Sequence, residues 1–194
     1  MSHAVADPPP TTIAEFDAFL DAQADEALWE LVAGRIVMMT NPSENHEQIA
    51  GNIGAPLKLA MDQRGCRAYQ GGMRVQRSDD SRDIHKPRPD VLVRCGPTSN
   101  RHYVTDPCVI VEVLSPSTMD GNRGDKLHFY KSLPTLRHIV LAYQDDVRVE
   151  HYRRSDTGWD IETLTRPTVV LVLEAVGFTI SLDTIYFGVV FDEE

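Results

Sequence analysis

The stretch Cys108-Val-Ile-Val-Glu112-Val-Leu-Ser-Pro116 constrains this chain more than any other. A run of Val, Ile and Leu bounded by Pro107 and Pro116 reads as a strand covered on both faces, because branched aliphatic side chains suit a buried, pleated surface. Glu112 breaks that pattern. Alternate residues of a strand share a face, so Glu112 lies with Ile110 and Leu114, while Val109, Val111 and Val113 point the other way. An ionised carboxylate taken out of water needs a cation, a metal or several donors, and otherwise takes up a proton. The candidate neighbour is Asp90, which opens a second apolar strand in Arg88-Pro-Asp-Val-Leu-Val-Arg94. Two carboxylates brought together on neighbouring strands repel unless a divalent cation bridges them, so the pair is a candidate metal site.

A chain of 194 residues, 42% hydrophobic and 25% charged, suits one globular domain with its own core. No apolar run approaches the roughly 18 to 20 residues a membrane-spanning helix needs. The N-terminus carries Asp7 and three prolines where a secretory signal needs a basic patch and an apolar core, so a cytoplasmic protein is expected. Three cysteines, Cys66, Cys95 and Cys108, without short metal-binding spacing, read as buried thiols in a reducing compartment. The net charge of −10 argues against general nucleic-acid binding, which needs a basic footprint. Its distribution is uneven: residues 64–101 hold nine Lys/Arg against four acids, and the remainder holds ten against 25. That basic segment reads either as a solvated charged face or as a surface for phosphates.

Residues 1–11 read as a flexible tail and residues 12–194 as the domain. Thr12-Ile-Ala-Glu15 is a capping box opening a short amphipathic helix, and Leu28–Val32 and Ile36–Met39 form a hairpin around Ala33-Gly34. Helix and hairpin together read as an N-terminal embellishment. Asn41-Pro-Ser-Glu44 predicts a second helix capped by Asn41 and running to about Gln63, kinked or broken at Pro56, with His46 on its inward face beside Ile49 and Ile53. Strands are expected over 66–76, interrupted at Gly71-Gly72, over 91–95 and over 109–114. A loop over 115–120, a helix over about 121–133 and a strand over 138–142 follow. Short strands at 147–153, 159–164, 169–173 and 178–180 close the chain.

The αβββαβ order, with Asp90 on the second core strand and Glu112 on the third, resembles the restriction-endonuclease-like superfamily, whose signature is written PD-(D/E)XK. More closely, Glu30-Leu-Val-Ala-Gly34-Arg-Ile, Asn41-Pro-Ser with His46, Arg88-Pro-Asp90-Val, Val111-Glu112-Val-Leu-Ser-Pro-Ser-Thr118 and Arg123-Gly-Asp-Lys126 followed by Tyr130 resemble the Uma family of proposed restriction endonucleases. The resemblance covers about residues 12 to 187. It implies an α/β (α+β) fold with a restriction-endonuclease-like core, a mixed sheet and extra C-terminal strands. One position departs from the superfamily pattern: the lysine expected two residues after the acid is Leu114 here. The resemblance places it instead at Lys126 on the following helix, where Arg123, Lys126 and Tyr130 share one face.

The implied activity is Mg²⁺- or Mn²⁺-dependent hydrolysis of DNA phosphodiester bonds. Asp90 and Glu112 would be the metal ligands, Lys126 the catalytic lysine, and Glu30 and His46 further candidates. Ser115, Arg123, Tyr130 and Arg88 are candidate substrate contacts, and a homodimer is the expected assembly. Each residue has a plainer reading: a core histidine for His46, an ion pair with Arg35 for Glu30, a surface lysine for Lys126, helix packing for Tyr130, and caps for Ser115 and Thr118. The acidic total and Leu114 keep a second function open, a non-catalytic module that binds nucleic acid or protein. No serine-hydrolase elbow, phosphate-cradling glycine loop or dinucleotide fingerprint is present, and the seven histidines lack metal spacing.

Overall fold

The computed structural model describes residues 9–23, 27–39, 41–115 and 123–191. Its elements in chain order are α1 (Ile13–Ala22), β1 (Trp29–Val32), β2 (Arg35–Met38), α2 (Glu44–Asp62), β3 (Arg67–Gln70), β4 (Arg74–Val75), β5 (Val91–Arg94), β6 (Tyr103–Val104), β7 (Pro107–Leu114), α3 (Arg123–Ser132), β8 (His138–Tyr143), β9 (Val149–Ser155), β10 (Gly158–Leu164), β11 (Val170–Leu173), β12 (Phe178–Ser181) and α4 (Leu182–Ile185). Six of the strands form one mixed sheet in the order β10-β9-β8-β7-β5-β3, in which only β7 and β8 run parallel. A parallel pair needs a crossover, and α3 provides it. The expected αβββαβ core is therefore α2, β3, β5, β7, α3 and β8.

Each face of the sheet has its own core. Val109, Val111 and Val113 pack with Ile49, Ile53 and Leu57 of α2, and β11, β12 and α4 close this layer. On the other face Ile110 and Leu114 pack with Phe129 and Tyr130 of α3. Glu112 shares that second face, as the alternation requires. Among the described residues no helix is long and apolar enough to cross a membrane.

Several local expectations need correction. The second helix is capped by Ser43, whose hydroxyl accepts the His46 N–H at 3.2 Å, and it runs through Pro56 without ending there. Ser43 also donates to Gln144 Oε1 at 2.7 Å, a tertiary bond that fixes its position. Thr12 and Glu15 do form the reciprocal capping box. The expected loop over 115–120, with Thr118, lies almost wholly outside the described residues, as do residues 1–8 of the expected tail; at the tail's end Thr11 N–H donates to Gly34 O at 2.9 Å.

The cysteines depart further from expectation, since Cys66 and Cys95 form a disulfide. Strand register explains it. β3 and β5 pair antiparallel with Arg67 opposite Arg94, so the next pair outward is Cys66 and Cys95, with Cα atoms 4.1 Å apart. Cys108 remains a thiol.

The hairpin is more than an embellishment. Ala33 and Gly34 both take positive φ, the turn that suits a two-residue hairpin. Leu31 exchanges backbone hydrogen bonds with Lys86, which ties β1 to the segment leading into Asp90. The Lys86 ammonium, itself buried, holds Asp17 of α1 at 2.6 Å.

Candidate active site

Asp90 and Glu112 are neighbours because β5 and β7 pair antiparallel with Val91 opposite Val111, a register whose next step sets Asp90 beside Glu112. Asp90 Oδ2 accepts the Val113 N–H at 2.7 Å, so its carboxylate is anchored on the partner strand. His46, in the first turn of α2, brings its Nε2 to 3.4 Å from the same oxygen.

Two further elements complete the cluster. From β1, Glu30 is buried and accepts the Arg88 N–H through Oε2 at 3.1 Å. From α3, Lys126 places its Nζ 2.8 Å from Glu112 Oε1 and 3.2 Å from Glu30 Oε2. Tyr130, one turn further along α3, donates to Glu112 Oε1 at 2.6 Å. The side chains of Lys126, Glu30 and Glu112 are only 14, 8 and 10% exposed, so their charges interact with little screening by water. Lys126 is not the surface lysine of its plainer reading, and Tyr130 both packs in the core, as its plainer reading has it, and points at Glu112. Arg35 reaches Asp125 of α3 at 2.8 Å, while Glu30 is held by Lys126.

The charges explain the proton affinities. Burial pushes the Glu112 carboxyl up to about 7; Lys126 opposes this, and Asp90 and Glu30 reinforce it. Burial alone would lower the Lys126 ammonium, but Glu112 and Glu30 raise it, so it stays charged. His46 is likewise lowered by burial and raised on balance by Asp90, with smaller contributions from Glu47 and Glu112. Tyr130 is raised well above its usual value by burial and by Glu112. Lys126 thus pairs with two of the three carboxylates and His46 lies beside the third, and burial, reinforced by Asp90 and Glu30, appears as extra proton affinity at Glu112.

The remaining candidates divide. Arg88 serves through its backbone N–H, and its guanidinium donates to Gly71 O at 2.8 Å. Arg123 shares the face of Lys126 but reaches across the sheet to Glu150 Oε2 at 2.5 Å. Ser115 directly follows β7. Sequence reasoning missed the Glu150 cluster, in which Tyr143 and Tyr152 also donate to that carboxylate at 2.5 and 2.9 Å. The pairing of Leu141 with both Glu112 and Glu150 puts the two acids on one face of three adjacent strands, a signal visible only once register is known.

The basic segment is engaged within the fold. Arg77, Arg82, Lys86, Arg94 and Arg101 pair with acids, and Arg67, Arg74 and Arg88 donate to backbone carbonyls.

A mixed sheet between helices, with carboxylates from two adjacent strands and a lysine brought over them by the crossover helix, defines a domain of the nuclease type. The chain belongs to the Uma2 family, described as "Putative restriction endonuclease", whose profile matches residues 13–184. It is 29% identical over 164 residues to the protein slr1290 of Synechocystis sp. (strain ATCC 27184 / PCC 6803 / Kazusa), covering 84% of this chain and 85% of that protein. With sll1609 of the same organism it is 30% identical over 135 residues, covering 67 and 75%. Its fold is similar to the crystal structure of a putative nuclease belonging to DUF820 from Anabaena variabilis ATCC 29413, with a TM-score of 0.70, 19% identity, and 91 and 98% of the two chains covered.

Proposed function

We propose that this domain is a divalent-metal-dependent endonuclease that hydrolyses phosphodiester bonds in DNA. The observation that carries the reading is a surplus of buried acid, with Lys126 between Glu30 and Glu112, His46 beside Asp90, and Glu112 raised to about 7, chiefly by burial. Such a surplus favours uptake of a cation, and carboxylate oxygens are the hard donors that Mg²⁺ and Mn²⁺ prefer. Among the described residues no three acidic, histidine or cysteine side chains are drawn together tightly enough to enclose a metal. A Mg²⁺-type ion fits that arrangement, since it commonly takes one or two carboxylates and completes its shell with water and substrate phosphate. Asp90 and Glu112 would hold it, and when bound it supplies Lewis-acid activation of the phosphate and of water.

The protein's own groups do the rest. Lys126, held between Glu30 and Glu112, sets an ammonium where charge develops on the phosphate oxygens. Tyr130 fixes the orientation of Glu112, and the Val113 N–H fixes Asp90. As water adds to phosphorus and the bond to the leaving sugar oxygen breaks, His46, whose proton affinity the Asp90 carboxylate raises, is suited to exchange the proton. A symmetric dimer would set two such sites against two strands.

The test begins with calorimetric titration of Mn²⁺ into the protein and into Asp90→Asn and Glu112→Gln, followed by incubation with DNA. We expect saturable binding that both substitutions abolish, and cleavage that Glu112→Gln abolishes. If Glu112→Gln cuts DNA as well as the parent, the mechanism is wrong. DNA retained in EDTA without any cut product would assign the domain to binding instead, and a monomer at all concentrations in sedimentation would remove the dimer.

A further inference from the structure

All three cysteines of the chain, separated by 29 and 13 residues, meet at one corner of the sheet. The Cys108 Sγ lies 3.9 Å from the Cys95 Sγ, which is already bonded to Cys66. This meeting depends on a β-bulge. Val93 faces Val109 but Arg94 faces Pro107, so Cys108 is the extra residue of its strand. Strict alternation would put Cys108 on the face of Ile110 and Glu112. Instead it packs against the same core as its neighbour Val109, on the side where Cys66 is buried. Cys95 is exposed and Cys108 half-buried, so solvent reaches the shared sulfur. Nothing in the proposed hydrolysis uses these residues.

We propose that Cys66, Cys95 and Cys108 form a thiol-exchange site open to small-molecule thiols of the glutathione class, in which the disulfide moves from Cys66–Cys95 to Cys95–Cys108. An external thiolate attacks the exposed Cys95 Sγ; the bond to Cys66 breaks, and Cys66 leaves as a thiolate. The Cys108 Sγ then attacks Cys95, expelling the external thiolate and leaving Cys95 bonded to Cys108. One sulfur–sulfur bond is broken for each one formed, the proton lost by Cys108 is regained by Cys66, and no net oxidation occurs. The external thiol is a catalyst rather than a spectator. Exchange proceeds through thiolates, and burial pushes the Cys108 thiol up to about 11, so its attack on Cys95 is the slow step at neutral pH and quickens at alkaline pH. A small thiol of ordinary acidity opens the accessible bond first. The first pairing links β5 to the residue that enters β3, and the second links β5 to β7; exchange therefore moves the cross-link from one neighbour of β5 to the other.

The experiment oxidises the whole protein with glutathione disulfide, removes the reagent, and adds a catalytic amount of reduced glutathione at pH 8.5. Free thiols are alkylated at intervals and the linked peptides are mapped by mass spectrometry. We expect Cys66 to become alkylatable as Cys108 becomes protected, with the peptide pair containing Cys95 and Cys108 rising at least tenfold above its starting level. The substitution Cys108→Ser should leave Cys66–Cys95 as the protein's disulfide at every interval, since Cys66 itself resolves the adduct on Cys95, and Cys66→Ser, oxidised directly, should give the Cys95–Cys108 link as its main product. A wild-type protein that keeps three alkylatable thiols after oxidation overturns the proposal. So does a Cys66→Ser protein in which Cys95 stays glutathionylated while Cys108 stays free. These readouts need neither metal nor DNA, so they are independent of the nuclease reading.

Discussion

Replacing Glu112 by Gln should make the protein more stable, and increasingly so as the pH rises. In the folded state the carboxyl is raised to about 7, whereas in the unfolded chain it returns to about 4.5. The folded protein therefore holds the Glu112 proton more tightly than the unfolded chain does. Stability is fully present below pH 4.5 and is lost as the pH rises through 7, because ionising Glu112 in the fold is the unfavourable step. A difference of 2.5 pH units at about 1.4 kcal/mol each corresponds to about 3 kcal/mol above pH 8, and to less than about 1 kcal/mol near pH 5. Glutamine mimics the protonated acid: its amide oxygen still accepts from Tyr130, and Lys126 keeps Glu30. The variant should thus equal the parent near pH 4.5 and exceed it by up to about 3 kcal/mol at pH 8. For a domain of this size that is about 6 to 12 °C in melting temperature. Urea unfolding of both proteins in EDTA between pH 4.5 and 8.5 gives the comparison. A stability difference that does not change with pH, or a variant less stable than the parent at pH 8, refutes the charge argument for this site.

Two other substitutions probe buried charge. Lys126→Met leaves Glu30 and Glu112 without their ammonium and should cost about 3 to 5 kcal/mol at pH 8, an effect that shrinks on acidification as Glu112 protonates; equal urea midpoints for variant and parent at pH 8 would contradict this. On the far side of the sheet, Ala175 N–H donates to His138 Nε2 at 3.1 Å, so the proton on Nδ1 points to His151 Nε2 at 2.9 Å, and His151 Nδ1 reaches Glu162 at 2.8 Å. Burial and His151 push His138 down to about 4 from 6.5, so the unfolded chain binds this proton first, and the stability present above pH 6.5 is lost as the pH falls through 4. The imidazole resonances of His138 should stay constant from pH 8 to 5; a midpoint near 6.5 by NMR would show that this chain of bonds does not hold it neutral.

Some of this was legible in the residues and some was not, for physical reasons. Glu112 stood out because a Val/Ile strand buried on both faces leaves a carboxylate no water, and burial pushes the folded group up as that argument requires. Lys126 was a matter of tertiary placement. Helical spacing puts Arg123, Lys126 and Tyr130 on one face, but only the crossover of α3 decides that Lys126 meets Glu112 while Arg123 passes on to Glu150. The second helix cap was misread for a similar reason. Asn41 and Ser43 both satisfy the local pattern, and Gln144, a hundred residues away, holds Ser43 in place. Counting charges over residues 64–101 gave only part of the balance, since Lys86 and Arg94 are matched by Asp17 and Asp106, which lie outside the counted segment.

The register of a single four-residue strand determines both unusual features of the molecule. β5 has Asp90 immediately before it and Cys95 immediately after it. At the first end, Val91 opposite Val111 sets Asp90 beside Glu112. At the other, Arg94 opposite Arg67 sets Cys95 against Cys66, and the bulge between Val93 and Arg94 turns Cys108 towards them. A slip of one residue would send every side chain of the strand to the opposite face, separating the two acids and placing Val91 and Val93 where α3 packs. The bulge lies at the cysteine end, beyond Val93, so it re-aims Cys108 without disturbing the pairing that aligns the carboxylates. Moving the disulfide from Cys66 to Cys108 would therefore change what β5 is tied to while leaving the acidic cluster in register.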